Sequence, residues 1–210
     1  MSYSHSLDAV IGELLDLIAS GKPIQGDFRE PLHAMGRDGG RLVEAICRAV
    51  KPRRGLEIGT SSGFSALCAM RGALAAGADF HLVTVDHDAA KAEWAQSNFE
   101  RAGVADRITI VIEDGLDAAK KLDGPWDYVL MDAAKSQNLP ILKALLPKLN
   151  PGAVVLTDNA VTHEAEMHEF TKFVRNHPDL ASGLFAVGNG IEFTIKFVSG
   201  SELRGLRRHV

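Results

Sequence analysis

Asp132 ends the apolar run of WDYVLMDAAK with Lys135 three positions later, and Asp158 and Asn159 end the next such run, in VVLTDNAV. Two carboxylates and an amide are hard oxygen donors. Such a set suits Mg²⁺, which takes few protein ligands and keeps positions open for water or substrate. Zinc prefers His or Cys, and this set contains neither. Taken singly, each acid reads as a solvated loop residue and Lys135 as a surface lysine. The case for a metal is their joint placement at the ends of successive strand-like segments. Adjacent strands lie about 4.8 Å apart, and an open α/β sheet binds ligands beyond its carboxyl ends, so the two sets would converge in one cleft.

Upstream, LEIGTSSGFS at residues 56–65 follows one strand-like run and opens a helical one. Gly59 and Gly63 let the backbone turn tightly and approach a ligand, and a helix N-terminus offers unpaired N–H donors. The dinucleotide fingerprint needs a third glycine, whereas Thr60, Ser61 and Ser62 fill the gap here, and Glu57 would repel a phosphate. An acid at that place suits a cationic ligand, such as the amine and sulfonium of S-adenosylmethionine. Asp86, at the end of the run in VTVDHD, is placed to accept hydrogen bonds from ribose hydroxyls.

These residues need a scaffold, and the pattern supplies one. Short apolar runs at 55–58, 80–85, 108–112, 128–131 and 153–157 are mostly separated by amphipathic stretches, which predicts βαβ units and a parallel sheet with helices on both faces. Runs at 184–187 and 191–198 flank Gly188-Asn189-Gly190, a hairpin signal. The expected fold is α/β: a Rossmann-like, open, mostly parallel seven-stranded sheet closed by a C-terminal antiparallel hairpin. Ahead of it, Leu7, Val10, Ile11, Leu14, Leu15 and Ile18 recur at helical spacing up to Gly21, and Leu42, Val43, Ile46 and Val50 do so up to Pro52. Segment 22–40 reads as a mostly irregular flap.

Length and composition set bounds. At 210 residues the chain fits one domain, residues 1–210, with 1–52 as its N-terminal helices and flap. Its 23 basic and 27 acidic side chains give a net charge of −4, which argues against a general polyanion binder. Cys47 and Cys68 are too few for a disulfide scaffold or zinc ribbon and read as buried small hydrophobes. No apolar run approaches the ~20 residues of a membrane span, and the N-terminus carries acid where a signal peptide carries basic charge. A cytoplasmic location is expected.

Taken together, LEIGTSSGFS, VTVDHD, MDAAK and LTDN resemble the cation-dependent class I S-adenosylmethionine O-methyltransferases, the family of catechol and caffeoyl-CoA O-methyltransferases. The resemblance runs from about Met35 to the end and includes the hairpin GNGIEFTIKF. It implies divalent-metal-dependent methyl transfer from S-adenosylmethionine to a hydroxyl of a small, catechol-like acceptor. Asp132, Asp158 and Asn159 would hold Mg²⁺ (or Mn²⁺ or Ca²⁺), and Lys135 would be the catalytic base. Met35, Glu57, Gly59, Thr60, Ser65, Asp86, Gly115, Leu116 and Asp132 would contact S-adenosylmethionine. The implied partners are a small hydroxylated acceptor and a second copy in a homodimer, with neither membrane nor nucleic acid.

Two departures fall on positions that shape the acceptor pocket. Asn138 stands where the family often has an aromatic after the lysine, and Ala160-Val161-Thr162-His163 replace an aromatic and a glycine after the aspartate–asparagine pair. His163 is close enough to that pair to touch substrate, and His87 to line an adenine pocket; Trp94 and Phe99 read as packing residues. The alternatives are an RNA hydroxyl methyltransferase (acting on tRNA hydroxyuridine), favoured by Arg204, Arg207 and Arg208 in the tail but not by the net charge, and a nicotinamide oxidoreductase, which Glu57 and the missing glycine disfavour.

Overall fold

The computed structural model describes residues 3–21 and 35–197. Two helices, α1 (Tyr3–Ser20) and α2 (Gly36–Val50), precede an alternation of β1 (Arg54–Ile58), α3 (Phe64–Ala75), β2 (His81–Asp86), α4 (Ala89–Ala102), β3 (Ile108–Ile112), α5 (Gly115–Lys121), β4 (Trp126–Met131), α6 (Asn138–Leu145), β5 (Leu149–Thr157) and α7 (Glu164–Asn176). The described chain closes with the strands β6 (Leu180–Phe185) and β7 (Ile191–Lys196). The seven strands form one sheet in the order β3-β2-β1-β4-β5-β7-β6, with β1 to β5 parallel and β7 antiparallel to both neighbours. This is the expected architecture.

Apolar side chains leave the sheet alternately toward two helical layers, as a pleated strand requires. Leu82, Tyr128, Leu130 and Leu156 face a core shared with Leu7, Val43, Leu67 and Phe99, drawn from α1 to α4. Leu56, Val129, Met131 and Val155 face the other, with Ala118, Leu142 and Phe170 from α5, α6 and α7. Phe99 and Trp94 pack against the sheet as expected, and both cysteines are buried. Among the described residues no helix is long and apolar enough to cross a membrane.

Two boundaries differ from expectation. α2 starts at Gly36, inside the segment read as a flap; residues 22–34 of that segment lie outside the described residues. The glycines there signal a loop by propensity, but they are required for packing. A Cβ at Gly39 would meet Met35 at 2.8 Å, and one at Gly40 would meet the Phe64 ring at 2.7 Å. β6 covers 180–185 and not 184–187, because at the sheet edge most of its side chains face solvent and its apolar pattern is weak. The arginine-bearing tail lies outside the described residues.

The hairpin is fastened to α7 through a buried carboxylate. Glu192, 0% exposed, accepts from Arg175 Nε at 2.8 Å, Arg175 Nη2 at 2.6 Å and Ser182 Oγ at 2.8 Å. Removing one partner of a fully buried pair costs about 3–5 kcal/mol, and the half-exposed arginine brings this case somewhat below that range. Arg175→Met should therefore lower unfolding free energy by about 2–3 kcal/mol in urea denaturation, with the m-value unchanged.

Candidate active site

The strand order reverses between β1 and β4, and the chain leaves the sheet there in opposite directions. A cavity of about 920 Å³ opens over the carboxyl ends of the strands at this point. Gly59, Asp86, Gly115, Asp132, Lys135, Asp158 and Asn159, all expected site residues, line it together. His87 and His163 line it too.

The ladder itself sets two of the acids side by side. Asp132 donates its N–H to the Ile58 carbonyl at 2.8 Å, and Asp158 donates its N–H to the Met131 carbonyl at 3.0 Å. Asp158 is 1% exposed, and its Oδ1 is buried without a hydrogen-bond partner. Burial, and then the charge of Asp132, push its carboxyl up to about 6. Asn159 holds φ at 69°, a conformation asparagine tolerates better than most residues. Lys135 Nζ donates to Asp132 Oδ1 at 3.1 Å and to the Ala133 carbonyl at 3.0 Å. Among the described residues no three His, Cys, Asp or Glu side chains gather as a metal cluster; what the cavity wall holds at this point is two carboxylates and the Asn159 amide. An unpartnered buried carboxylate oxygen next to a second carboxylate fits a hard divalent cation, which would remove both the repulsion and the missing contact.

At the opposite end, Asp86 accepts from Ser61 N at 2.9 Å on Oδ2 and from Asp88 N at 3.0 Å on Oδ1. These bonds fix the carboxylate and leave further lone pairs for a ligand. Asp114 caps α5 through Oδ1 and accepts from Gln137 Nε2 at 3.2 Å through Oδ2. The Gln137 bond and the cap bonds hold its carboxyl below the usual range. Gly59 carries φ 105°, and a Cβ there would lie 2.5 Å from the Asp132 carbonyl oxygen. The glycine is what lets the loop lie against β4.

Five residues expected at the cofactor are not on the cavity wall. Glu57, 1% exposed, is buried and does not line the cavity. Its Oε1 accepts from Ser65 Oγ at 2.5 Å and its Oε2 from Thr84 Oγ1 at 2.6 Å, with Thr60 Oγ1 2.7 Å from that threonine. Ser65 and Thr60 are thus occupied behind the loop. Burial pushes the Glu57 carboxyl up to about 7, although both hydroxyls oppose that shift. Met35, 4% exposed, packs in the core at the start of α2, and Leu116 packs against the other core. Asn138 is buried with its Nδ2 3.0 Å from Met167 Sδ, so it too is a packing residue. Ser61, Asp114, Gln137 and Asn189 line the cavity without being singled out by the sequence, whereas Thr162 lies there as one of the departures placed at the acceptor pocket. Asp114 carries a readable signal, as the capping acid ahead of a short helix, and Asn189 reads only as a turn residue.

Residues 56–160 match the methyltransferase domain family. The chain is 36% identical over 132 residues to the catechol O-methyltransferase of Mycobacterium tuberculosis (strain ATCC 25618 / H37Rv), a match covering 62% of this chain and 59% of that relative's length. Among solved structures, the cofactor-bound Rv0187 from MTB superposes with a TM-score of 0.74 at 26% identity, covering 90% of this chain and 89% of that one. The O-methyltransferase TomG from Streptomyces achromogenes, in complex with SAM, gives 0.71 at 25% identity, covering 92% and 90%.

The raised Glu57 carboxyl has a stability consequence. A folded-state value above the unfolded one means a contribution that is full below pH 4.5 and lost as pH climbs through about 7. Glu57→Gln should flatten this part of the stability–pH profile. In denaturant titrations without ligand, wild type should lose stability relative to the variant across that window. Parallel profiles would show that Glu57 keeps an ordinary carboxyl.

Proposed function

The chain belongs to the methyltransferase domain family, and on that premise we propose that it transfers a methyl group from S-adenosylmethionine to a hydroxyl of a small, catechol-like acceptor with help from Mg²⁺. The observation that carries the reading is the buried, unpartnered Asp158 Oδ1 in one cavity with Asp132, Asn159 and Lys135. Asp132, Asp158 and Asn159 would hold the cation. Asp86 would accept from the ribose hydroxyls, Asp114 and Gly115 would border the adenine, and Gly59 and Asp132 the methionine end. Glu57, Thr60, Ser65, Met35 and Leu116 would support this surface from behind.

Bound there, S-adenosylmethionine supplies an electrophilic methyl group and the cation makes the acceptor hydroxyl more acidic. The protein's part is position and proton transfer. Lys135 in its amine form accepts the hydroxyl proton at Nζ. The Asp132 and Ala133 oxygens, at 3.1 and 3.0 Å, then receive the hydrogen bonds of the ammonium so formed. Asp158, held by the bond that extends the β4–β5 ladder, and Asn159 next to it would fix where the acceptor's oxygens lie relative to Gly59 and Asp132. Holding two reactants in near-attack geometry is a large part of catalysis of this kind.

Three experiments test the reading. Asp158→Ala should abolish cation binding, seen as loss of the Mg²⁺-dependent rise in melting temperature, while S-adenosylhomocysteine affinity by calorimetry stays within about threefold. EDTA should silence methyl transfer to catechol and Mg²⁺ restore it; full turnover in excess EDTA would rule out metal assistance. Lys135→Arg keeps the charge but cannot deprotonate, so its rate on catechol near neutral pH should fall by about 10²–10⁴. A nitrocatechol, already ionised at pH 7, should recover most of that loss. Full activity of the variant on unsubstituted catechol would show that Lys135 is not the base.

A further inference from the structure

At the acceptor end of the cavity stands a group that the metal-and-base chemistry does not use. His163, half-buried at the start of α7, lines the wall beside Thr162, Asn159 and Asn189. Its Nδ1 lies 3.0 Å from Thr162 Oγ1, and Asn159 Nδ2 lies 3.4 Å from the same oxygen. An amide nitrogen only donates, so the threonine accepts from Asn159. Its one hydroxyl proton is then free for His163 Nδ1, which accepts it when the imidazole carries its own proton on Nε2. In that tautomer the chain Asn159–Thr162–His163 ends in an Nε2–H donor.

The backbone around this donor is held from two sides. Val161 N and Thr162 N donate to the Asn189 carbonyl at 3.0 and 3.1 Å, and His163 N donates to the Asn159 carbonyl at 3.0 Å. The loop is therefore fastened both to the hairpin and to a residue assigned to the metal. The described residues lining the cavity include no Phe, Tyr or Trp. Among the described residues this end offers hydrogen-bonding groups and no aromatic ring apart from the imidazole, and a plain ring brings no acceptor to pair with the imidazole donor.

We propose that His163, oriented by Thr162, is a specificity-determining residue that donates a hydrogen bond to a carbonyl or carboxylate oxygen on the acceptor. The favoured acceptor is then an ortho-dihydroxylated ring bearing such a group. The proposal rests on the O-methyl-transfer reading above and names the substrate class within it.

The test uses the full chain with S-adenosylmethionine and Mg²⁺ and four acceptors: catechol, 3,4-dihydroxytoluene, 3,4-dihydroxybenzaldehyde and 3,4-dihydroxybenzoate. Wild type should favour the aldehyde or the carboxylate over catechol and the toluene by roughly tenfold in kcat/KM, expressed in KM, the worth of one hydrogen bond. His163→Phe should collapse that ratio toward one. His163→Gln, which can place an amide donor near the Nε2 position, should keep part of it. The aldehyde and carboxylate arms tell a neutral from an anionic preference. A wild type without preference, or a His163→Phe variant that lowers all four acceptors equally, overturns the proposal. Binding of the four acceptors to the protein loaded with S-adenosylhomocysteine and Mg²⁺ separates the levels. If none binds, the O-methyl-transfer reading fails and this one with it; if all bind alike, only the specificity assignment fails.

Discussion

Two backbone hydrogen bonds beyond the ends of the strands decide where everything else in the cleft can be. Asp132 N–H on the Ile58 carbonyl and Asp158 N–H on the Met131 carbonyl carry the parallel ladders of β1–β4 and β4–β5 one residue past the strands. They place two carboxylates on neighbouring strands at the same height. No flexible side chain sets that spacing, so it is as rigid as the sheet. The glycine loop is fitted to the same point, since at Gly59 only a residue without Cβ leaves room for the Asp132 carbonyl. The loop, the acid pair and the lysine that rests on Asp132 are thus parts of one arrangement, and a shift of β4 would disturb all three.

The acids of this cleft show how one functional group takes opposite fates from its surroundings. Asp114 spends one oxygen on the first N–H groups of α5 and the other on Gln137, and its carboxyl is held low. Asp158 has a buried oxygen with no partner, stands near another carboxylate, and its carboxyl is pushed up. The first is a satisfied cap. The second is left unsatisfied, because a buried anionic oxygen without donors is costly until positive charge reaches it. Glu57 lies between these cases. It is fully buried yet receives two short hydroxyl bonds, and it stiffens the loop from behind through Ser65 and Thr84.

Much of this was legible in the sequence for a simple reason. In a parallel sheet a ligand cleft must lie at strand carboxyl ends, so polar residues that end apolar runs announce themselves. β3 falls on the run at 108–112, and Asp86, Asp132, Asp158 and Asn159 stand where strand ends put them. Direction was harder to read. Alternation says that Glu57 sits on one face of β1, but not that this face is covered by α3, and so a ligand contact was expected where a core carboxylate is found. Gly39 and Gly40 misled for the same kind of reason, since a glycine required by a neighbouring ring looks like a loop until the ring is seen. Asn189 and Thr162 act through contacts between segments far apart in the chain, which no local pattern carries.

On the proposed reading, chemistry and selectivity are built from different parts of the sheet. The reacting groups hang on β1, β4 and β5, whose registers are parallel and buried on both faces. The acceptor end hangs on the loop after β5, held by the antiparallel hairpin through Asn189 and, further back, by the Arg175–Glu192 pair between α7 and β7. A change in that loop or hairpin can alter what is offered to the acceptor without moving Asp132 or Lys135, because the ladder bonds that place those residues run to β1 and not to the hairpin. The polar Thr162–His163 pair sits on that loop, tied to Asn159 through Thr162 Oγ1 and the His163 N–H and to the hairpin through the Asn189 carbonyl, so the direction of its polar groups is set by the loop and hairpin and not by the β1–β4 ladder.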